Sequence, residues 1–210
     1  MELSHKPVLL EECLEALAIR PEGTYLDGTL GRAGHSLEIV KRLTTGRLIG
    51  IDQDAAAIEA ARVRLADYMD KVTLVRSNFS HLGEILQELQ VDGVDGMLFD
   101  LGVSSPQLDD PARGFSYMHD APLDMRMDER APLSARDVVN DWSQEELRRI
   151  LYEYGEERYA PAIARAICRR REERPVETTF ELVDIIKSAM PAEALREKKN
   201  PAKRSFQAIR

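Results

Sequence analysis

Cysteine is scarce in this 210-residue chain. Cys13 and Cys168 lie far apart and in no spacing that a metal would use, which excludes the disulfide framework of a small secreted domain and predicts two buried thiols. The four histidines, His5, His35, His81 and His119, form no zinc motif, and no metal is expected. Long apolar runs are missing, so no membrane-spanning helix is expected. The opening Met1-Glu-Leu-Ser-His-Lys6 lacks the apolar core of a signal peptide, and the expected address is cytoplasmic. Excess positive charge is also absent. The formal net charge is −8, which argues against a protein that merely coats nucleic acid. Repeats and low-complexity segments are lacking too.

What is present is an alternation of short β runs and longer helical ones. Thr24-Tyr-Leu-Asp27, Arg47–Asp52, Lys71–Arg76 and Val94–Leu101 read as strands. Residues 7–19, 35–44, 54–67 and 81–90 read as helices, the third with Ile58, Ala61 and Leu65 on one face. This rhythm predicts an α/β fold with a parallel sheet. It changes after about residue 104. Residues 105–133, rich in Pro, Asp, Gly and Met, read as a structured loop over the active site, and 134–200 as a small all-helical module. Within that module Ser143 and Glu146 have the spacing of a capping box, and Thr179 begins a helix. The first domain is expected over 1–104. The last residues, 201–210, read as the start of a return to the sheet, and their sudden stop at Phe206-Gln-Ala-Ile-Arg210 suggests that the protein continues.

The chemistry is expected at the strand ends. The first strand is followed by Asp27-Gly-Thr-Leu-Gly-Arg-Ala-Gly-His35, a turn where glycines let the backbone approach a ligand. Its Gly-x-x-Gly-x-x-Gly spacing is not the dinucleotide fingerprint, which disfavours an oxidoreductase. An acid before the glycines suits a ligand bearing an amino group. Asp52 ends the second strand, where a carboxylate can accept from both hydroxyls of a ribose; an N-cap role falls more naturally to Asp54. Phe79 follows the third strand and either faces an adenine or packs under its loop. Asp100 ends the fourth. Ligands of open α/β sheets lie outside the carboxyl ends of strands, and Asp27, Asp52, Phe79 and Asp100 all fall there.

Longer motifs carry a resemblance. Asp100-Leu-Gly-Val-Ser-Ser-Pro-Gln-Leu-Asp109, Arg113-Gly-Phe-Ser116, Pro122-Leu-Asp-Met-Arg-Met-Asp128, Tyr154-Gly-Glu-Glu-Arg158, Ile163-Ala-Arg-Ala-Ile167 and Phe206-Gln-Ala-Ile-Arg210 resemble the bacterial ribosomal RNA small-subunit methyltransferase H family. The resemblance implies a Rossmann-like class I S-adenosylmethionine-dependent methyltransferase sheet with an inserted helical domain. It implies methylation of the exocyclic N4 of a cytosine in the decoding region of 16S ribosomal RNA, within the small ribosomal subunit. Ala33, Gly34 and His35 would line the methionine end of S-adenosyl-L-methionine. Asp52 would hold the ribose, Phe79 the adenine side, and Asp100 and Gln107 would complete the pocket. Ala33 stands where that family usually has glycine, and family members extend beyond Arg210.

Cytosine N4 is a poor nucleophile, its lone pair delocalised into the ring. An enzyme must align it with the methyl group and accept hydrogen bonds as it becomes tetrahedral. Asp100 and the loop carbonyls through Pro106 are the candidates, Asp100 being the catalytic one. Charge divides unevenly: residues 1–164 hold 17 Lys/Arg against 30 Asp/Glu, a net of −13, and residues 165–210 hold 12 against 7, a net of +5. That split makes the tail, with Lys198, Lys199, Lys203 and Arg204, the expected RNA-facing part; a solvated helix face is the bland alternative. Oligomeric state is open, a homodimer included. The rival function is a noncatalytic fragment that binds cofactor or RNA without turnover.

Overall fold

The computed structural model describes residues 7–210, so the polar opening of the chain and His5 lie outside the described residues. The chain divides into two compact units, residues up to Gly102 and residues from Val103 onward. In the first, α1 (Leu10–Leu17), β1 (Thr24–Asp27), α2 (Gly34–Val40), β2 (Arg47–Asp52), α3 (Ala55–Arg64), β3 (Val72–Arg76), α4 (Leu82–Glu88) and β4 (Gly96–Leu98) follow one another. The four strands form one parallel sheet in the order β3-β2-β1-β4. This is the Rossmann-like order, and the direction of winding reverses between β1 and β4.

The strands are apolar on both faces because helices cover both. Tyr25, Leu48 and Val72 pack with Leu10, Leu14, Ile39, Val40, Ile58 and Ala61 of α1, α2 and α3. The alternate residues Leu26, Ile49 and Ile51 pack with Ile85 of α4 and with Val91. Period-two alternation therefore turns Asp27 toward the α2 side, together with Tyr25. Asp54 caps α3, its side chain accepting the Ala56 N–H. The fourth strand is shorter than its sequence suggests, three residues rather than eight. Its partner in the ladder is β1, in a register that ends at Asp27↔Leu98. Phe99, Asp100 and Leu101 thus lie past the strand.

The second unit is helical: α5 (Ser105–Asp109), α6 (Ala135–Asp141), α7 (Gln144–Glu153), α8 (Ala160–Glu173), α9 (Thr179–Ser188) and α10 (Lys203–Ile209). The expected Ser143–Glu146 capping box is present, and boxes at Ser104–Gln107, Ser134–Asp137 and Thr178–Glu181 define three further helix starts. Leu147, Leu151, Ile163, Ile167, Leu182, Ile186 and Phe206 form its core, and Phe115, Leu123 and Met125 of the Pro-, Gly- and Met-rich segment lie in the same cluster. Arg126 holds that segment together, bonded to the Asp124 carboxylate and to the carbonyls of Glu129 and Ala131. Met127 packs against the core while Met118 is exposed. Cys13 and Cys168 are free and only half-buried, not fully buried as expected.

Candidate cofactor site

Within the first unit the carboxyl ends of the strands gather around the β1–α2 turn. Asp27 is fully buried. Its Oδ2 accepts from the Ser36 hydroxyl of α2 at 2.7 Å and its Oδ1 from the Thr29 N–H at 3.2 Å. Burial pushes its carboxyl above the ordinary carboxylate range, partly offset by the Ser36 and Thr29 bonds. An acid so enclosed fixes the turn; it is not presented to a ligand's amino group, as its place in the sequence suggests.

Asp52 is the partly exposed one. Its Oδ2 accepts the Gly31 N–H at 2.8 Å and its Oδ1 the Asp54 N–H at 2.9 Å. Burial raises this carboxyl too, with the Asp54 and Gly31 bonds pulling it back. A carboxylate offers about four acceptor positions, so with the Gly31, Asp54 and Gln53 main-chain bonds this partly exposed group keeps room for a hydroxyl donor.

Ala33 is the N-cap of α2 in the left-handed region, φ 56°, and its methyl is fully buried. Glycine would adopt that conformation without strain, and the turn around the buried Ala33 is tightly packed. Gly34 leaves no space for a Cβ because Pro7 lies against it, and the Nε2 of the buried His35 is 3.0 Å from the Val8 carbonyl oxygen. The segment before α1 thus backs the glycine turn. Sequence reading attached no role to Pro7 or Val8, since nothing local links them to residues 27 positions on.

Phe79 is carried toward β2 by two bonds: the Ser77 N–H donates to the Asp52 carbonyl and the Asn78 amide to Gln53 Oε1, both at 3.0 Å. Its ring meets Phe99 edge-to-face, centroids 5.4 Å apart at 70°. Phe99 in turn lies against Gly28, where a side chain could not fit. Both rings are about 40% exposed, Phe79 at 39% and Phe99 at 41%. Sequence reading missed Phe99, which was hidden inside what looked like a longer strand. Asp100 is exposed, and its N–H donates to Thr29 Oγ1 at 2.7 Å, tying the end of β4 to the turn after β1. The first unit therefore brings Ala33, Gly34, His35, Asp52, Phe79 and Asp100 to one end of its sheet. Gln107 belongs to the second unit, is buried, and its Oε1 accepts the Ser104 N–H at 2.9 Å as part of the α5 cap.

A glycine turn at the switch point of a sheet ordered β3-β2-β1-β4, with an acid after β2, lies where open α/β sheets bind ligands. Comparison with known proteins refines this. The model of the MraW methylase family matches residues 2–210. The chain belongs to the MraW methylase family. It is 56% identical over 211 residues to a Brevibacillus brevis protein named ribosomal RNA small subunit methyltransferase H, covering 100% of this chain and 67% of that one. A Paenibacillus protein of the same name is 59% identical over 213 residues, covering 98% of this chain and 67% of its own length. A third, from Symbiobacterium thermophilum, is 56% identical with 66% of its length covered. This member of the MraW methylase family thus spans about two thirds of the length of those relatives.

Proposed function

We propose that this chain carries the cofactor site and part of the substrate-binding surface of an S-adenosyl-L-methionine-dependent methyltransferase that acts on the exocyclic N4 of a cytosine in the decoding region of 16S ribosomal RNA, in the cytoplasm. The observation that carries the cofactor assignment is the cluster of Asp52, the glycine turn and the Phe79–Phe99 pair at the switch point of the sheet. The donor set fits the group. Asp52 keeps acceptor capacity toward a ribose hydroxyl, the aromatic pair offers an apolar surface to a purine, and the main chain of Ala33–His35 borders the turn. The cofactor supplies an activated methyl on a sulfonium centre.

What the protein must add is alignment and an acceptor for the amine as it becomes tetrahedral. Asp100 is our candidate, being exposed and held beside the turn through Thr29. The cytosine must be unstacked or single-stranded to reach it. Substrate choice rests on the names of the relatives and on the resemblance of the Asp100–Asp109 motif. On this reading the helical unit is an insertion in the sheet domain, and a homodimer is compatible with it. The second reading is a noncatalytic cofactor- or RNA-binding fragment, favoured by the third of the relatives' length that the chain does not span. Transfer of a labelled methyl group from the cofactor to 16S ribosomal RNA separates the two. Turnover by this chain supports the enzyme; binding without turnover supports the fragment.

A further inference from the structure

The groups assigned to the adenosine half of the cofactor stand on two loops that follow neighbouring strands. β2 and β3 pair in parallel up to Asp52↔Arg76. Beyond that pair their courses part. The chain after Asp52 enters α3 through the Asp54 cap, and the chain after Arg76 enters a short 3₁₀ turn, Phe79–His81. Nothing in a parallel ladder requires two such loops to stay together. Here they do. The Ser77 N–H donates to the Asp52 carbonyl at 3.0 Å, one further rung. Side chains then take over. Asn78 Nδ2 donates to Gln53 Oε1 at 3.0 Å, and Asn78 Oδ1 accepts the Ser80 N–H at 2.9 Å. Gln53 is gripped a second time, its carbonyl accepting from the Arg76 Nε at 3.5 Å. Both Gln53 and Asn78 are half-buried.

Capping the Phe79–His81 turn accounts for only half of the Asn78 amide. A cap needs an oxygen, which serine or aspartate would also supply; the nitrogen is engaged across the gap, on Gln53. Sequence order makes the consequence specific. Gln53 directly follows Asp52, and Asn78 directly precedes Phe79. The side-chain bond therefore joins the acid assigned to the ribose to the ring assigned to the base, each one peptide link away. Asp52 is itself held by the Gly31 and Asp54 N–H groups. In adenosine the base is attached directly to the sugar. A site gains fully from both contacts only when their separation is set before the ligand arrives, because ordering a loose Phe79 loop on binding would oppose affinity.

We propose that Asn78 and Gln53 are positioning residues: their bond holds Phe79 at a fixed distance from Asp52, so that the ribose and the base of the cofactor are bound as one unit. The inference rests on the S-adenosyl-L-methionine reading of this crevice. It adds two residues that act through each other and through Phe79.

The test is calorimetric titration of S-adenosyl-L-methionine into the parent and a set of variants, with thermal melts of each to establish folding. Asn78→Ser keeps an oxygen for the Ser80 N–H but is too short to reach Gln53. It is expected to melt like the parent and to bind about fivefold more weakly. Gln53→Met, which removes the other partner, should lose about as much, and the double variant no more than either single one. Phe79→Leu should also weaken binding. In that background Asn78→Ser should cost nothing further, because the bond acts only through the ring; a general loosening of the fold would add its own loss. If folded Asn78→Ser and Gln53→Met bind like the parent, if Phe79→Leu does so, or if the Asn78→Ser and Phe79→Leu losses add, the positioning role is overturned while the cofactor reading stands. A parent that does not bind S-adenosyl-L-methionine overturns both.

Discussion

Two aspartates that look alike in the sequence, Asp27 and Asp52, each ending a strand, separate once their surroundings are known. Asp27 faces inward and spends both oxygens on Ser36 and Thr29; Asp52 clamps Gly31 and Asp54 yet keeps an open side. Strand-end position was legible from the pattern, but which acid is enclosed depends on α2 folding back over β1, a tertiary fact. The enclosed acid has a measurable consequence. Its folded value lies above the ordinary one near 3.8 because burial disfavours the charge. The stability it supports is then fully present below the ordinary value and is lost as pH rises through the folded value. The stability of the parent relative to Asp27→Asn should fall over that interval and level off above it, as read by urea unfolding at a series of pH values. A constant difference from pH 3 upward would show that Asp27 is not desolvated. Phe99 makes the same point from the other side: its packing on Gly28 became visible only once β4 was seen to end at Leu98.

Some helix starts were legible from the side chain that caps them, although α5, capped by Ser104 and Gln107, begins in a segment that reads as a loop. Ser143 and Glu146 were read from spacing alone, and the structure shows the Glu146 N–H donating to the Ser143 hydroxyl at 3.2 Å and the Ser143 N–H donating to Glu146 at 2.8 Å. Loss of such a cap costs about 1 kcal/mol. Ser143→Ala should therefore lower unfolding stability by roughly that amount, measured by chemical denaturation, and leave cofactor affinity untouched, since α7 lies outside the sheet unit. A loss below about 0.3 kcal/mol would mean that Leu147, Ile150 and Leu151 alone hold the helix. Strand lengths were less legible. An apolar run cannot tell where pairing ends, and β4 ends where β1 does. The Pro-, Gly- and Met-rich segment has no period to read. Arginine bonds to carboxylates and carbonyls organise it instead, as Arg126 shows.

Across the whole chain, the split between an acidic body and a basic tail is plain in composition, but the structure redistributes the tail's charges. Arg204 donates to the Glu156 carbonyl at 2.7 Å, Arg171 to the Val139 carbonyl at 2.8 Å, and Arg174 pairs with Glu181. Lys198 and Lys199 remain exposed. Replacing both by Ala should flatten the salt dependence of RNA binding by about 0.7 for each RNA phosphate they neutralise, without moving cofactor affinity. Parallel salt titrations for variant and parent would leave these lysines as mere solvated surface. The parallel sheet, its order of elements and the glycine turn could all be read ahead of the structure, because each rests on local periodicity and turn chemistry. Calorimetric titration of S-adenosyl-L-methionine into the parent and into Asp52→Ala tests most directly the proposed binding of the cofactor in this crevice through Asp52. The parent should bind, and the folded variant should bind at least about tenfold more weakly, roughly 1.4 kcal/mol. Equal affinities, or binding of a nicotinamide dinucleotide in its place, would contradict it.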